Sequence, residues 1–236
     1  MLDIKKKLNI KKELVVLQKD RRVASQIKTR LEEFEANRER GGERWFSELC
    51  FCLLTANSSA ALGMKIQERL GKGAEEGEGA EEGEGSNGFL NLPLEELETV
   101  LKEEGHRFYK RRSEFIVAAR RKVGSGVKAV VGSFGDERRA REWLVKNVKG
   151  LGYKEASHFL RNLGFGNVAI LDRHILRAMQ RFGICEEIPG RLTKALTKRK
   201  YLELERRLEG LAGEVGMSLG ELDLYLWWLE TGKVLK

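Results

Sequence analysis

A pair of glycines between two amphipathic segments constrains the fold of this chain more than any other feature. The stretch "NVKGLGYKEASHFLRNLG", residues 147–164, holds Gly150 and Gly152 one residue apart. The flanking segments "DERRAREWLVKNV" and "YKEASHFLRNL" both repeat apolar residues at helical spacing. Because glycines allow positive φ and close backbone approach, residues 136–164 are predicted to form two helices joined by a tight hairpin.

The remainder of the chain has the same helical period, and strand-like alternation is scarce. A proline in the first turn of "LPLEELETVL" and the capping-box pair Ser218 and Glu221 mark the beginnings of two further helices. The sequence therefore predicts an all-α fold. Helical patterns extend over residues 11–36, 44–71, 93–104, 107–122, 172–182, 198–215 and 218–230.

Charge is distributed unevenly along the 236 residues, whose formal net charge is +8. Residues 73–88 form a glycine- and glutamate-rich tandem repeat with no basic residue, so the other residues are more basic than the total suggests. This composition neither holds a helix nor allows burial, and we expect a disordered acidic insertion between two helices. The basic remainder points to an anionic partner, with nucleic acid as the leading candidate.

Metal-binding and membrane proteins are not indicated by this sequence. Cys50, Cys52 and Cys185 follow neither zinc nor iron–sulfur spacing, so buried thiols are expected and no metal or cofactor is assigned. No apolar run approaches the roughly 18 residues of a membrane span. The sequence also begins without the apolar core of a secretory signal. We expect a cytoplasmic, nucleoid-associated protein without a membrane partner, and a monomer.

The hairpin suits the capture of a phosphate group. Gly150 and Gly152 can expose successive N–H groups at the beginning of the second helix, where the helix dipole favours an anion. Lys149 precedes the hairpin and is interpreted as a further contact to the DNA backbone. A Gly-x-Gly pair alone most often only turns the chain, so DNA binding is favoured here by the amphipathic flanks and the basic composition.

The arrangement of helix, Gly-x-Gly turn and helix resembles the helix–hairpin–helix of the DNA glycosylases related to endonuclease III. In that superfamily an aspartate follows the hairpin at a characteristic distance, and "VAILDRHIL" supplies Asp172, 18 residues after Lys154. With "CFCLLTAN", "GHRFYKRRSEFIVAARR" and "ELDLYLWWLETGKVLK", these motifs are similar to the second, archaeal-type family of 8-oxoguanine DNA glycosylase/lyases. The resemblance implies one glycosylase unit over 1–236, with two helical subdomains and an active-site cleft between them.

The resemblance also implies a bifunctional enzyme of base-excision DNA repair that acts on double-stranded DNA containing 8-oxoguanine. Bifunctional members carry a lysine two residues beyond the second hairpin glycine, and Lys154 occupies that position. An amine that displaces the base at C1′ forms an imine with the opened sugar, which acidifies the C2′ proton and permits strand cleavage by β-elimination. The attacking amine must be neutral, and the positive end of a helix favours the neutral form.

Asp172 is the expected partner of that lysine. Its carboxylate would stabilise positive charge developing at the sugar and manage the proton on the amine. An alternative interpretation makes Asp172 the N-cap of the helix that follows it, and one side chain can do both.

The resemblance assigns roles to further residues. Asn57, in "LLTAN", is expected to fill the gap left by the extruded base, with a helix-interrupting cap as the alternative. His174 is expected to contact the DNA backbone, or else to be a helix-surface histidine. A pocket for the extruded base is expected to include Phe108, Trp227 and Lys236, although core packing also explains the two aromatic residues.

Two alternatives to an 8-oxoguanine enzyme remain open at this point. One is a related bifunctional glycosylase for oxidised pyrimidines, and the other is a non-enzymatic helix–hairpin–helix module that only binds DNA. Lys154 and Asp172 favour an enzyme, because a binding module needs the glycines but neither the amine nor the aspartate. The basic runs "GHRFYKRRSEF" and "RLTKALTKRKYLELERR" are either contacts along the DNA backbone or plain solvated faces.

Overall fold

The computed structural model describes residues 2–71, 87–185, 196–234 and 236. Within these ranges the chain forms α-helices and one short 3-10 turn and no β-strand, which confirms the all-α prediction. The helices are α1 (Leu2–Lys19), α2 (Arg21–Glu39), α3 (Gly42–Thr55), α4 (Ala60–Gly71), α5 (Gly88–Asn91), α6 (Leu94–Glu103), α7 (Tyr109–Lys122), α8 (Val127–Gly132), α9 (Glu137–Asn147), α10 (Tyr153–Asn162), α11 (Arg173–Arg181), α12 (Lys198–Val215) and α13 (Leu219–Thr231).

The helices divide into two compact units. The central unit comprises Ala36–Leu163, and the terminal unit comprises Met1–Glu35 together with Gly164–Lys236. In the central unit α3 packs against α4, α7, α8 and α10. Every residue of α3 from Trp45 to Thr55 is buried, so this helix forms the core around which the others are arranged. In the terminal unit α11 packs on α13, and α12 packs on α1 and α13.

The N-terminal helical pattern is interrupted where the sequence predicts a single helix over 11–36. Helix α1 ends at Lys19, and α2 begins at Arg21. Between them, Asp20 Oδ1 accepts the N–H groups of Arg22 (2.9 Å) and Val23 (3.2 Å). A short acidic side chain that accepts hydrogen bonds from the following amides begins a new helix. The spacing of apolar residues does not reveal this break.

The acidic insertion predicted over 73–88 falls mostly on residues 72–86, which lie outside the described residues. Its last two residues belong to the fold, so the expectation of disorder is wrong for them. Asn87 is buried, donates from Nδ2 to the carbonyl of Glu43 (3.2 Å) and accepts the N–H of Phe89 (3.1 Å). Gly88 begins α5. A segment's composition does not distinguish a solvated asparagine from a buried capping one.

The three cysteines are buried free thiols, as expected. Burial raises the pKa of the Cys50 thiol well above its ordinary value, which keeps the thiol protonated. No group of His, Cys, Asp and Glu side chains in the described ranges has the arrangement of a metal site. None of the helices described above is long and apolar enough to cross a membrane.

Candidate active site

The predicted hairpin is present between α9 and α10. Gly150 has φ +91°, and a Cβ at this position would lie 2.3 Å from Cδ2 of Phe115, a buried residue of α7. Positive φ and this close approach each require glycine. Val148 and Leu151 flank the turn, and both are buried. The N–H of Leu151 donates to the carbonyl of Val148 (3.2 Å). The ring of Phe115 therefore packs directly against the hairpin at Gly150.

The beginning of α10 suits an anion. Gly152 is its N-cap and has no side chain to cap the first-turn N–H groups. The positive end of the helix dipole is at the same place. Lys149 is exposed beside the turn, with its Nζ 5.8 Å from the centroid of the Phe115 ring. These features match the predicted phosphate site, and the contact to DNA itself stays a prediction.

Lys154 lies in the first turn of α10 and differs from Lys149 in its surroundings. Its side chain is 28% exposed, and its Nζ lies 3.8 Å from Oε1 of Glu155, whose side chain is 17% exposed. The apolar face of α10, including Ala156 and Phe159, is fully buried as predicted. Packing of that face sets the rotation of the helix, so the amine is held at a partly sheltered position instead of moving freely in solvent.

A buried arginine joins the two helices of the hairpin. Arg141 of α9 is 1% exposed and donates from Nη1 to Oγ of Ser157 in α10 (3.1 Å). Its guanidinium lies 5.3 Å from the ring centroid of Tyr153, whose hydroxyl donates to Glu142 (2.6 Å). Sequence reasoning missed Arg141, because an arginine in an amphipathic helix is ordinarily on the solvated face.

Asp172 is the N-cap of α11, so the capping interpretation is confirmed. Its Oδ1 accepts the N–H groups of His174 (2.8 Å) and Ile175 (2.9 Å). Its Oδ2 accepts no hydrogen bond from any of the described residues. One oxygen of the half-buried carboxylate is thus used for structure, and the other is available for chemistry.

Side chains of α12 hold the segment that leads into Asp172. The hydroxyl of Tyr201 donates to the carbonyl of Ala169 (2.6 Å) and accepts the N–H of Leu171 (3.3 Å). Glu205 accepts the N–H of Ala169 (2.8 Å). Because this segment is neither helix nor strand, its buried backbone groups need such partners. Tyr201 and Glu205 were not predicted, since nothing local in the sequence links α12 to residue 172.

His174 and Trp227 contact each other in the terminal unit. Their ring centroids are 4.5 Å apart, and both side chains are half-buried. Burial lowers the pKa of His174, while the Asp172 carboxylate acts in the opposite direction. The Trp227 Nε1 is buried without a hydrogen-bond acceptor among the described residues. Lys236 is half-buried. His174 is thus a partly exposed residue of α11 that contacts Trp227. The DNA and base contacts predicted for His174, Trp227 and Lys236 stay predictions.

Asn57 and Phe108 belong to the central unit. Asn57 has φ +59° and an exposed side chain directly after the C-cap of α3, Ala56. It therefore interrupts the helical pattern in the left-handed conformation that often follows a helix end. Phe108 is half-buried at the N-cap of α7, and the guanidinium of Arg107 lies 4.4 Å from its ring centroid. Their predicted roles at the lesion are not tested by this geometry.

The first basic run is only partly a surface feature. Arg112 is 7% exposed and donates from Nη2 to the carbonyl of Ala56 (2.5 Å). Arg120, which lies beyond this run on the same helix, donates to the carbonyls of Phe89 (2.8 Å) and Leu92 (2.9 Å). Burial lowers the pKa of both guanidinium groups. These two arginines serve the fold, and only the exposed members of the run, such as Arg111, remain available to DNA.

The predicted site residues divide between the two units. The central unit contains the hairpin, Lys154, Asn57 and Phe108, and the terminal unit contains Asp172, His174, Trp227 and Lys236.

Comparison with known proteins gives the same family that the sequence motifs resemble. The family model described as 8-oxoguanine DNA glycosylase matches residues 27–217. Proteins named 8-oxoguanine DNA glycosylase/AP lyase from Methanocaldococcus jannaschii and Korarchaeum cryptofilum are 50% and 51% identical to this chain. The first alignment covers 89% of this chain and 91% of the relative, and the second covers 92% and 94%.

Solved structures are similar as well. The crystal structure of the M. jannaschii 8-oxoguanine glycosylase/lyase with 15mer DNA containing 8-oxoguanine has a TM-score of 0.85 and 47% identity, covering 96% of this chain and 99% of that one. The 8-oxoguanine DNA glycosylase of Thermotoga maritima has a TM-score of 0.82 and 42% identity, covering 98% and 100%.

Proposed function

Because this chain belongs to the 8-oxoguanine DNA glycosylase family, we propose that it removes 8-oxoguanine from DNA and then cleaves the strand at the abasic site. The observation that carries the proposal is a half-buried amine, Lys154, in the first turn of the helix after the Gly-x-Gly hairpin. The names of the relatives, which combine glycosylase and AP lyase, support a bifunctional enzyme.

The first chemical step is displacement of the base. Neutral Lys154 attacks C1′, the bond from C1′ to N9 breaks, and its electron pair leaves with the base, which then takes up a proton. Asp172 stabilises the positive charge that develops on the sugar, using the oxygen that does not cap α11.

The second step cleaves the strand. The sugar ring opens at O4′, and the nitrogen of Lys154 and C1′ form a protonated imine. The imine acidifies the C2′ proton; once a base removes it, the bond from C3′ to oxygen breaks and the phosphate leaves with the electron pair. Hydrolysis of the imine releases Lys154.

The remaining roles concern binding. The amides at Gly150 and Gly152, with Lys149 and His174, hold the DNA backbone. Asn57 fills the gap in the duplex, and Phe108, Trp227 and Lys236 contact the extruded base. The enzyme acts in the cytoplasm, at the nucleoid, and it acts as a monomer. A molecular mass measured by light scattering that equals two chains would contradict the monomer.

The test is covalent trapping on a duplex with a single 8-oxoguanine. Borohydride reduces the imine, so the intact protein is expected to form a stable protein–DNA adduct. Lys154→Gln is expected to form none, while Lys149→Gln, the matched control one residue before the hairpin, is expected to form it with weaker DNA binding.

The other candidates make different predictions in the same assay. A glycosylase for oxidised pyrimidines would form the adduct with a thymine glycol duplex in preference to 8-oxoguanine. A protein that only binds DNA would shift both duplexes on a gel and form no adduct with either.

A further inference from the structure

A set of buried polar contacts in the central unit joins the end of α3 to the beginning of α7. His106 is 1% exposed, and its ring uses both nitrogens. Nε2–H donates to the carbonyl of Leu54 (2.9 Å), and Nδ1 accepts the N–H of Phe108 (3.2 Å). Since a carbonyl only accepts and an N–H only donates, these partners require a neutral ring with its proton on Nε2.

Arg112 reaches the same end of α3. It is also buried, and its Nη2 donates to the carbonyl of Ala56 (2.5 Å). The last carbonyls of a helix have no partner within that helix, and a cation placed there interacts favourably with the helix dipole. Residues Leu54 and Ala56 are therefore held by side chains of the 106–112 segment.

These contacts flank two residues with proposed roles at the lesion. Asn57 follows Ala56 directly, and the backbone N–H of Phe108 donates a hydrogen bond to the ring of His106. Asn57 also has φ +59°, a conformation that few residues other than glycine adopt. The Asn57 side chain is exposed, so its position depends on the position of the neighbouring backbone.

We propose that His106 and Arg112, which we call the α3–α7 brace, are positioning residues that keep Asn57 and Phe108 at a fixed separation. Filling of the gap by Asn57 and stacking of Phe108 on the extruded base then occur as one concerted event. The proposal rests on the proposed function, which assigns these two roles. It adds a mechanical link between them that neither residue provides alone.

The test separates a step that needs base extrusion from one that does not. Excision of 8-oxoguanine requires the base to be extruded and stacked, whereas cleavage at a preformed abasic site requires Lys154 but offers no base to stack. For His106→Gln and Arg112→Met we expect the single-turnover excision rate to fall by about 10- to 100-fold, the usual consequence of a misplaced contact. Cleavage at the abasic site, which needs no stacked base, should fall much less.

Arg120→Met is the matched control. Arg120 lies on the same helix and also donates to backbone carbonyls, but to those of Phe89 and Leu92. It should lower the thermal stability in a similar way while leaving the ratio of excision to abasic-site cleavage as in the unmodified protein. Arg112→Lys keeps the charge and one donor, so it should restore part of the excision rate.

A double-mutant cycle provides an independent measurement. If the α3–α7 brace acts by positioning, Asn57→Ala should reduce excision much less in the His106→Gln protein than in the unmodified protein. Independent, multiplicative effects, or a parallel loss of both activities in the single variants, would show a purely structural role and overturn the proposal. An unmodified protein that forms no adduct with 8-oxoguanine would instead refute the proposed function, and the brace with it.

Discussion

At the scale of single residues, the carboxylate of Asp172 combines a structural task with a proposed chemical one. Its Oδ1 caps α11 through two backbone amides, and its Oδ2 is not engaged by the described residues. Asparagine retains an oxygen for capping but carries no charge. The two tasks can therefore be separated by substitution.

Asp172→Asn is expected to leave the free energy of unfolding within about 0.5 kcal/mol of the original and to lower the excision rate by about 10²- to 10⁴-fold. Chemical denaturation and single-turnover excision measure the two quantities. Asp136, which caps α9 by accepting the N–H of Arg138 (2.8 Å), is the matched control. Asp136→Ala should cost about 1 kcal/mol of stability without a loss of excision, and an Asp172→Asn protein with full activity would rule out the chemical role.

His106 predicts a dependence of stability on pH. Burial lowers its pKa below the ordinary value of about 6.5, so the unfolded chain takes up a proton at a higher pH than the folded protein does. The stability contributed by the neutral ring is present above about pH 6.5 and is lost as the pH falls through the lowered pKa.

The measurement is the free energy of unfolding between about pH 8 and pH 5. The original protein should lose more stability over this range than His106→Gln, which has no proton to gain at this position. Identical pH profiles for the two proteins would contradict the assignment. His174, whose pKa is also lowered, contributes to both profiles and cancels in the difference.

At the scale of elements, the hairpin depends on a glycine packed against an aromatic ring. Gly150→Ala introduces a Cβ at φ +91° and places it 2.3 Å from the ring of Phe115. The conformation costs about 1–2 kcal/mol, and the overlap costs about 1–3 kcal/mol more. We expect both a lower melting temperature and weaker binding to an undamaged duplex.

Two variants check this explanation of the hairpin. Phe115→Leu combined with Gly150→Ala should recover the part of the loss that comes from overlap, but not the part that comes from φ. Gly132→Ala, at the end of α8 where nothing lies within 4 Å of the new Cβ, should be neutral or slightly stabilising. If Gly150→Ala bound DNA as tightly as the original protein, the hairpin would not hold the phosphate.

At the scale of the whole molecule, a net charge of +8 predicts binding that weakens steeply with salt. Each phosphate contact contributes about 0.9 to the slope of log Kd against log salt concentration. Lys149→Gln should therefore reduce the slope by about 0.9, as measured by fluorescence anisotropy on duplex DNA. Lys65→Gln is the control, because Lys65 is already paired with Glu104 (2.8 Å), and an equal change in both slopes would contradict the phosphate contact of Lys149.

Several elements of this protein could be predicted because their signals are local. The apolar spacing of Ala156, Phe159 and Leu160 predicts the buried face of α10, and all three are fully buried. The glycine pair predicts the turn that precedes α10. The family was likewise predicted from short motifs, and the comparisons confirm it.

Other elements required the tertiary structure. Asp20 ends one helix and begins another, and Asn87 is buried at the edge of an acidic repeat, through bonds that composition does not reveal. His106 and Arg112 are in a basic run that suggests a solvated face, yet their partners Leu54 and Ala56 lie 52 and 56 residues away.

Most of the helices, the hairpin and the family could be predicted from the sequence, because helical periodicity and motif spacing involve neighbours along the chain. Packing in three dimensions determines which polar side chains are buried and which carbonyls they hold. That outcome depends on which helix ends are left without partners after packing, and on whether a remote guanidinium or imidazole can reach them. The candidate site residues were therefore predicted from the sequence, while the contacts around them were found only in the fold.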